Sequence, residues 1–381
     1  MGKFKAEENL DGVIRLMMLM GTWPMDSSSI LYTIRGYTTI FLIASFTVTT
    51  IAQALEFVDT EETSFALCCV MASFHTVIKY FFLYTKKAHV LNLIKILNKP
   101  ILSIHDDHLD IFLIKKLKMC RFFQHLFLYS AVGTGVLIVI IPLLNMRPEK
   151  SLPVPFPMNM EQQSSLVHIS VWLFQGVAVI LTTTSIGCFD GLLFFFIAVA
   201  AAELRILREK IAKTINLQSL DSQNMQIQDF DNRINNLLKD CVKQHIAIER
   251  YITSIQTTFS SAFLIQLLVS LLITCLIGFT LILIPIVSID FGMCTLMFVA
   301  ASTELVLFCA AGNEITLQSE NIRDACYMSQ WVNCGPSVRK TLFIIMERSK
   351  RPFKLSAAGF VFLSLDTLVS VSEDFLISFI T

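Results

Sequence analysis

The chain has 381 residues, of which 54% are hydrophobic and only 16% charged, and its mean hydropathy is +0.64. A water-soluble protein of this length carries more polar residues, so the composition points to an integral membrane protein. Thirty basic and thirty acidic residues cancel to a formal net charge of zero, which excludes bulk attraction to nucleic acid as a function.

In chain order, segment 1–33 opens charged and polar, and its apolar run Leu16–Met20 is too short for a cleavable signal. Ala6 stands where a myristoylation motif carries Ser or Thr. Seven stretches then approach the roughly 20 apolar residues that a bilayer crossing needs. They lie at about 34–54, 64–85, 123–145, 166–200, 260–284, 291–313 and 357–381. The chain therefore divides into helices one to four (34–200), a helical extension (201–259), helices five and six (260–313), a second helical segment (314–356) and a last span (357–381).

The connections differ in kind. NMRPEKSLPVPFPMN (145–159) holds four prolines and reads as a stiff, extended loop. AAELRILREKIAKTI (201–215) continues the fourth span without a helix breaker, and 216–228 is a polar connection. Ile234, Leu237, Leu238, Cys241, Val242, His245 and Ile248 recur at helical spacing and form one apolar face leading into span five. A short helix is predicted over 337–350, after Gly335-Pro336. Such faces bury either within one subunit or between subunits beneath a membrane.

Alternate assignment of the loops to two sides gives the orientation. One side takes four Lys and Arg from the N-terminus to Arg35, eight from 86–121, eight from 201–255 and seven from 313–354, or 27 in all. The other takes only Arg147 and Lys150, with Lys79 left inside span two. The positive-inside rule puts the N-terminus in the cytoplasm and the C-terminus outside, opposite to a G-protein-coupled receptor. The fold class predicted is all-α, an integral membrane protein of seven transmembrane helices with extended cytoplasmic helices.

Little in the chain suggests catalysis. Metalloprotease motifs, CxxC pairs, phosphate-cradling glycine loops and GxSxG are absent, so no enzyme, cofactor or metal is expected. IHDDHLD (104–110) gathers His105, His108, Asp106, Asp107 and Asp110, and reads as a solvated loop rather than a metal site. None of the ten cysteines falls in a loop of the outer side, so no structural disulfide is expected. Asp190 and Glu304 lie within spans four and six, where a carboxylate faces protein or water; pairing inside the bundle is the simpler reading.

The ending SLDTLVSVSEDFLISFIT is a span with acids in it. Thr367, Ser370, Asp374, Ser378 and Thr381 follow at intervals of three or four and form one polar stripe flanked by Val371. One such helix lines water only if partners surround that water, so a pore requires several subunits; acids there favour cations. Alternatively, Glu373 and Asp374 reach the outer headgroups and solvate the helix end.

Several motifs carry a family resemblance. LMMLMGTWP (16–24), LKDCVKQHIAIERYITSIQTTFSSAFLIQLLVSLLITC (238–275), Tyr327-x-x-x-Trp331, the Lys350–Gly359 pattern and Ser364-Leu-Asp-Thr367 resemble the insect odorant receptors over most of the chain. That resemblance implies an odorant-gated, non-selective cation channel built as a tetramer, with the last helix lining the pore and cytoplasmic helices joining subunits. It implies plasma-membrane insertion in sensory neurons, and a small volatile ligand bound in the outer half of helices two, three, four and six. The loop after helix four lacks the long insertion of the shared co-receptor, so the chain resembles a ligand-tuned subunit that pairs with that co-receptor. The gustatory Thr-Tyr-x5-Gln-Phe ending is missing, as are the Asp-Arg-Tyr and Asn-Pro-x-x-Tyr motifs of the G-protein-coupled alternative. A secondary transporter is a third class; no internal repeat is visible. Within the implied pocket region, depth and face select Met71, Phe74 and His75 on helix two, and His168, Trp172, Gln175 and Val179 on helix four. On helix six they select Phe291, Met297 and Phe298. Aromatic and thioether walls suit an apolar volatile.

Overall fold

A computed structural model describes residues 5–25, 29–56, 60–103, 107–144, 152–158, 163–216 and 227–370. The helices are α1 (Ala6–Met20), α2 (Ile30–Leu55), α3 (Thr60–Thr85), α4 (Lys87–Leu97), α5 (Pro100–Ser103), α6 (Asp107–Leu144), α7 (Ser165–Asn216), α8 (Ile227–Leu283), α9 (Ile289–Tyr327) and α10 (Pro336–Ser349). Six of them, among the described residues, are long and apolar enough to cross a membrane: α2, α3, α6, α7, α8 and α9. Each covers the corresponding predicted span to within one residue.

The centre of the molecule is α7. From Cys188 to Glu203 every side chain is buried, a run that includes LLFFFIAVAAA. A helix apolar on all faces needs neighbours on all faces, and α6, α8 and α9 supply them. The helix runs unbroken for 52 residues to Asn216, as the absence of a breaker after 200 predicts. The next long helix, α8, runs for 57 residues without interruption. Its predicted apolar face turns inward, with Ile234, Leu238, Cys241, His245 and Ile248 all buried. The apolar members of that face share one core with Leu207, Ile211 and Ile215 of α7, Ile322 and Cys326 of α9, and Val338 and Leu342 of α10. The face is therefore filled within the subunit. The ten cysteines are all free.

Sequence reading misses α1 as an element. Ala6, Leu10, Val13, Met17 and Met20 are its buried stripe, spaced by three and four, and this spacing is the available signal. The helix ends at Gly21 with φ 74°, a left-handed cap whose N–H bonds Met17 and Met18 carbonyls. Thr39 Oγ1 donates to Met20 O at 2.9 Å and Tyr32 Oη to Trp23 O at 2.8 Å, so α2 holds the turn that carries GTWP. A Cβ on Gly36 would stand 2.5 Å from Gly21 O, so the two backbones touch there. Gly36→Ala should force α1 off α2 at a cost of about 1–3 kcal/mol. The purified variant's thermal midpoint checks this, and an unchanged midpoint refutes the contact's importance.

The last predicted span begins later than expected. Residues 356–362 form a hairpin, β1 (Ser356–Ala357) against β2 (Val361–Phe362), and helix starts at 365 rather than 357. Ala358 (φ 51°) and Gly359 (φ 78°) take the left-handed conformations of a tight hairpin turn, which a helix excludes. Ser364 then caps the helix, accepting from Thr367 N at 3.2 Å. Asp366 thus sits in the first turn, where an acid complements the helix N-terminus.

Candidate functional site

Three places in the fold bear on function: the packed end of the bundle near the short loops, a polar chain across its middle, and the start of the last helix.

At the short-loop end, Val179 and Met297 come together with Phe46, Cys69, Ile138 and Val154. Met297 also joins Phe291 and Phe298 around Cys68, Ile277 and Cys294. Helix six is thereby brought against helices two and four. His75 is buried, while Met71, His168 and Trp172 are half-buried. Phe74 departs from expectation: it is 50% exposed on the outside of α3, because the buried positions 73, 75 and 76 turn it away from the bundle.

Gln175 is buried but already committed. Its Nε2 donates to Val154 O at 2.8 Å and its Oε1 accepts from Val154 N at 3.2 Å. One side chain thus satisfies both backbone groups of a residue in the proline-rich loop, and Val154 itself is fully buried. Sequence reading overlooks Val154; the alternation in Pro153-Val154-Pro155 is its one signal. Trp172 is different. Its Nε1–H is sealed from solvent without a partner. A buried donor left unmade costs about 1–3 kcal/mol, so this wall favours something that accepts a hydrogen bond.

Across the middle, Lys79 of α3 meets Asp190 of α7 at 2.7 Å, with both side chains at most 5% exposed. Lys79 also lies 5.1 Å from the Phe189 ring centroid. Glu304 of α9 stands beside Asp190 and accepts from Gln266 Nε2 of α8. The carboxylates Asp190 and Glu304 are thus placed inside the bundle, in line with the simpler reading.

Of the residues in the polar stripe, Thr367 is half-buried and Ser370 exposed, and Thr367 Oγ1 is 3.0 Å from Ser364 Oγ. Val371, Asp374, Ser378 and Thr381 lie outside the described residues, as do positions 104–106 of the His/Asp loop.

A family model described as 7tm Odorant receptor matches residues 59–373. Odorant receptor 42a of Drosophila melanogaster is 24% identical over 188 residues, covering 49% of this chain and 43% of that receptor. The odorant receptor coreceptor of Aedes aegypti is 25% identical over 143 residues, covering 36% of this chain and 29% of that protein. The chain thus aligns with less than half the length of either relative. Among solved structures, the insect olfactory receptor OR5 from Machilis hrabei, in complex with eugenol, superposes with a TM-score of 0.82 at 17% identity. The superposition covers 98% of this chain and 97% of that one, and shares the fold.

Proposed function

Since the chain belongs to the 7tm odorant receptor family, we propose that it is a ligand-tuned subunit of an odorant-gated, non-selective cation channel. The family match over residues 59–373 carries this reading. The subunit assembles with a co-receptor into a tetramer in the plasma membrane of sensory neurons. Its basic end faces the cytoplasm, and the 27-to-2 partition of Lys and Arg supports that orientation. The last helix lines the pore with Thr367, Ser370, Val371, Asp374, Ser378 and Thr381, and cations pass along it.

The ligand is a small volatile bound between α3, α6, α7 and α9, beside Met71, His75, His168, Trp172, Val179, Phe291, Met297 and Phe298. Phe74 is left out, since it points away from that region. Because Gln175 is taken by Val154, the unpartnered donor on this face is Trp172 Nε1. The ligand class that suits it is an apolar skeleton carrying one acceptor oxygen, such as an ester, ketone or ether.

Patch recording of the chain with and without a co-receptor tests the channel reading. Odorant-evoked cation currents that require the pair are expected; a C-terminal epitope inaccessible on intact cells would sink it. Within that assay, Trp172→Phe should weaken esters and ketones by about tenfold relative to hydrocarbons of the same shape, the worth of one hydrogen bond. An equal loss for both ligand sets would assign Trp172 to packing.

A further inference from the structure

The polar chain across the bundle is unbalanced in charge. It carries two carboxyl groups, Asp190 and Glu304, against one ammonium, Lys79. Lys79 occupies only Asp190 Oδ1, and the neighbouring Glu304 carboxyl can bond Asp190 only if one of the two acids holds a proton; Asp190 Oδ2 is buried and meets no other donor. A second acceptor nearby is in the same condition: Gln266 is 6% exposed, its Nε2 reaches Glu304 and Ser270 Oγ, and its Oε1 is buried and unpartnered. Two sealed, unpartnered oxygen acceptors on two helices therefore flank an acid pair that one lysine does not neutralise. A partnerless carboxylate oxygen inside a bundle is costly, and the cost disappears if a positive group enters.

We propose that Asp190, Glu304 and Gln266 bind one further small monovalent cation, a sodium ion or a proton, in the middle of the bundle. The donor set is all oxygen, two carboxyls and an amide carbonyl, which suits a hard cation and no soft metal. Charge selects the valence: with Lys79 present the two carboxylates leave one negative charge, so a monovalent cation brings the site to neutrality. A divalent ion would leave a net positive charge in a low-dielectric interior. The site ties α7, α8 and α9 together through one bound charge. The ionisable groups around it are His75, Lys79 and Tyr80 on α3, Cys188 on α7 and Cys309 on α9; α8 carries no charged residue from 251 to 283.

The test is the thermal unfolding midpoint of the purified full-length receptor. It is measured with sodium chloride replaced by N-methylglucamine chloride at constant ionic strength, and then over a series from about pH 6 to pH 8. The comparison variant is Glu304→Gln, which removes one charge and keeps the side chain's shape. If sodium is the occupant, the wild-type midpoint rises by roughly 2–4 °C per tenfold sodium above half-saturation and E304Q does not respond. If the occupant is a proton, sodium has no effect, the wild-type midpoint falls as pH rises, and E304Q is flat over the same series. Identical sodium and pH responses in wild type and variant overturn the proposal. Should E304Q not fold, Glu304→Met supplies the same comparison with similar volume and no charge.

Discussion

Lys79→Met should leave the receptor largely unfolded and off the cell surface. The ammonium sits 2.7 Å from Asp190 with both groups at most 5% exposed, so its removal strands a carboxylate among apolar helices. Breaking one partner out of a buried ion pair costs about 3–5 kcal/mol, a large fraction of any domain's net stability. The penalty is greater here because Glu304 adds a second acid beside Asp190. Asp190→Leu alone should fail as well, since it strands the lysine. The informative protein is the double variant Lys79→Met/Asp190→Leu, which removes both charges and fills the space with apolar atoms. It should regain part of the surface expression lost by either single change, because neither member of the pair is stranded by loss of the other, while the buried Glu304 still lacks its counter-charge. Surface labelling of the four forms reads this directly. If the double variant is as poor as the singles, the pair does more than compensate itself, and the acid is needed for the cation site.

The pair also illustrates what a sequence discloses. A lysine inside an apolar span and an acid inside another are visible as anomalies, and each predicts a partner. Their meeting is not visible, because 111 residues separate them and no local spacing encodes which helices touch. The helices themselves are legible, since long apolar runs and stripes at intervals of three and four depend on local chemistry alone. Hence the long extensions of α7 and α8 follow from the sequence, and so does the short helix over Pro336–Ser349. The stripe of Leu10, Val13 and Met17 makes α1 equally legible, but the segment opens charged and polar and its apolar run is too short to stand out beside the spans. The hairpin after Leu355 is hidden by composition: KLSAAGFVFLSL is apolar enough to extend a span, and only Gly359 hints at a turn. At the short-loop end, face and depth bring Val179, Phe291, Met297 and Phe298 to the packed clusters. They misplace Phe74, because adjacent positions on a wheel differ by about 100°, and the true inward axis of α3 runs through Ser73 and Thr76.

Gln256→Leu should shift the dose–response midpoint of every agonist by one common factor. Gln256, on α8, holds the hairpin through both ends of its amide: Nε2 donates to Ser356 O at 2.8 Å and to Ser356 Oγ at 2.7 Å, and Oε1 accepts from Ser356 N at 2.9 Å. Ser260, one turn further along, bonds Ser356 O at 3.1 Å and receives Ala358 N at 3.0 Å. On the other side Gly312 of α9 packs directly on Leu363, where a Cβ would come within 2.5 Å of the Leu363 Cβ. The start of the last helix is therefore fixed to α8 by hydrogen bonds and to α9 by close backbone contact. Replacing the amide with an isobutyl group leaves Ser356 N–H without a partner, at a cost of about 1–3 kcal/mol. If that helix lines the pore, the loss acts on the balance between closed and open states rather than on ligand contacts. A difference of about 1.4 kcal/mol between the two states moves their ratio tenfold, so agonists of different shape should shift together and keep their rank order. Gln256→Glu, which retains the acceptor for Ser356 N–H, should shift less. Currents from cells matched for surface expression provide the measurement. A variant that expresses normally and leaves every midpoint in place would show that the hairpin anchors the fold without biasing the pore.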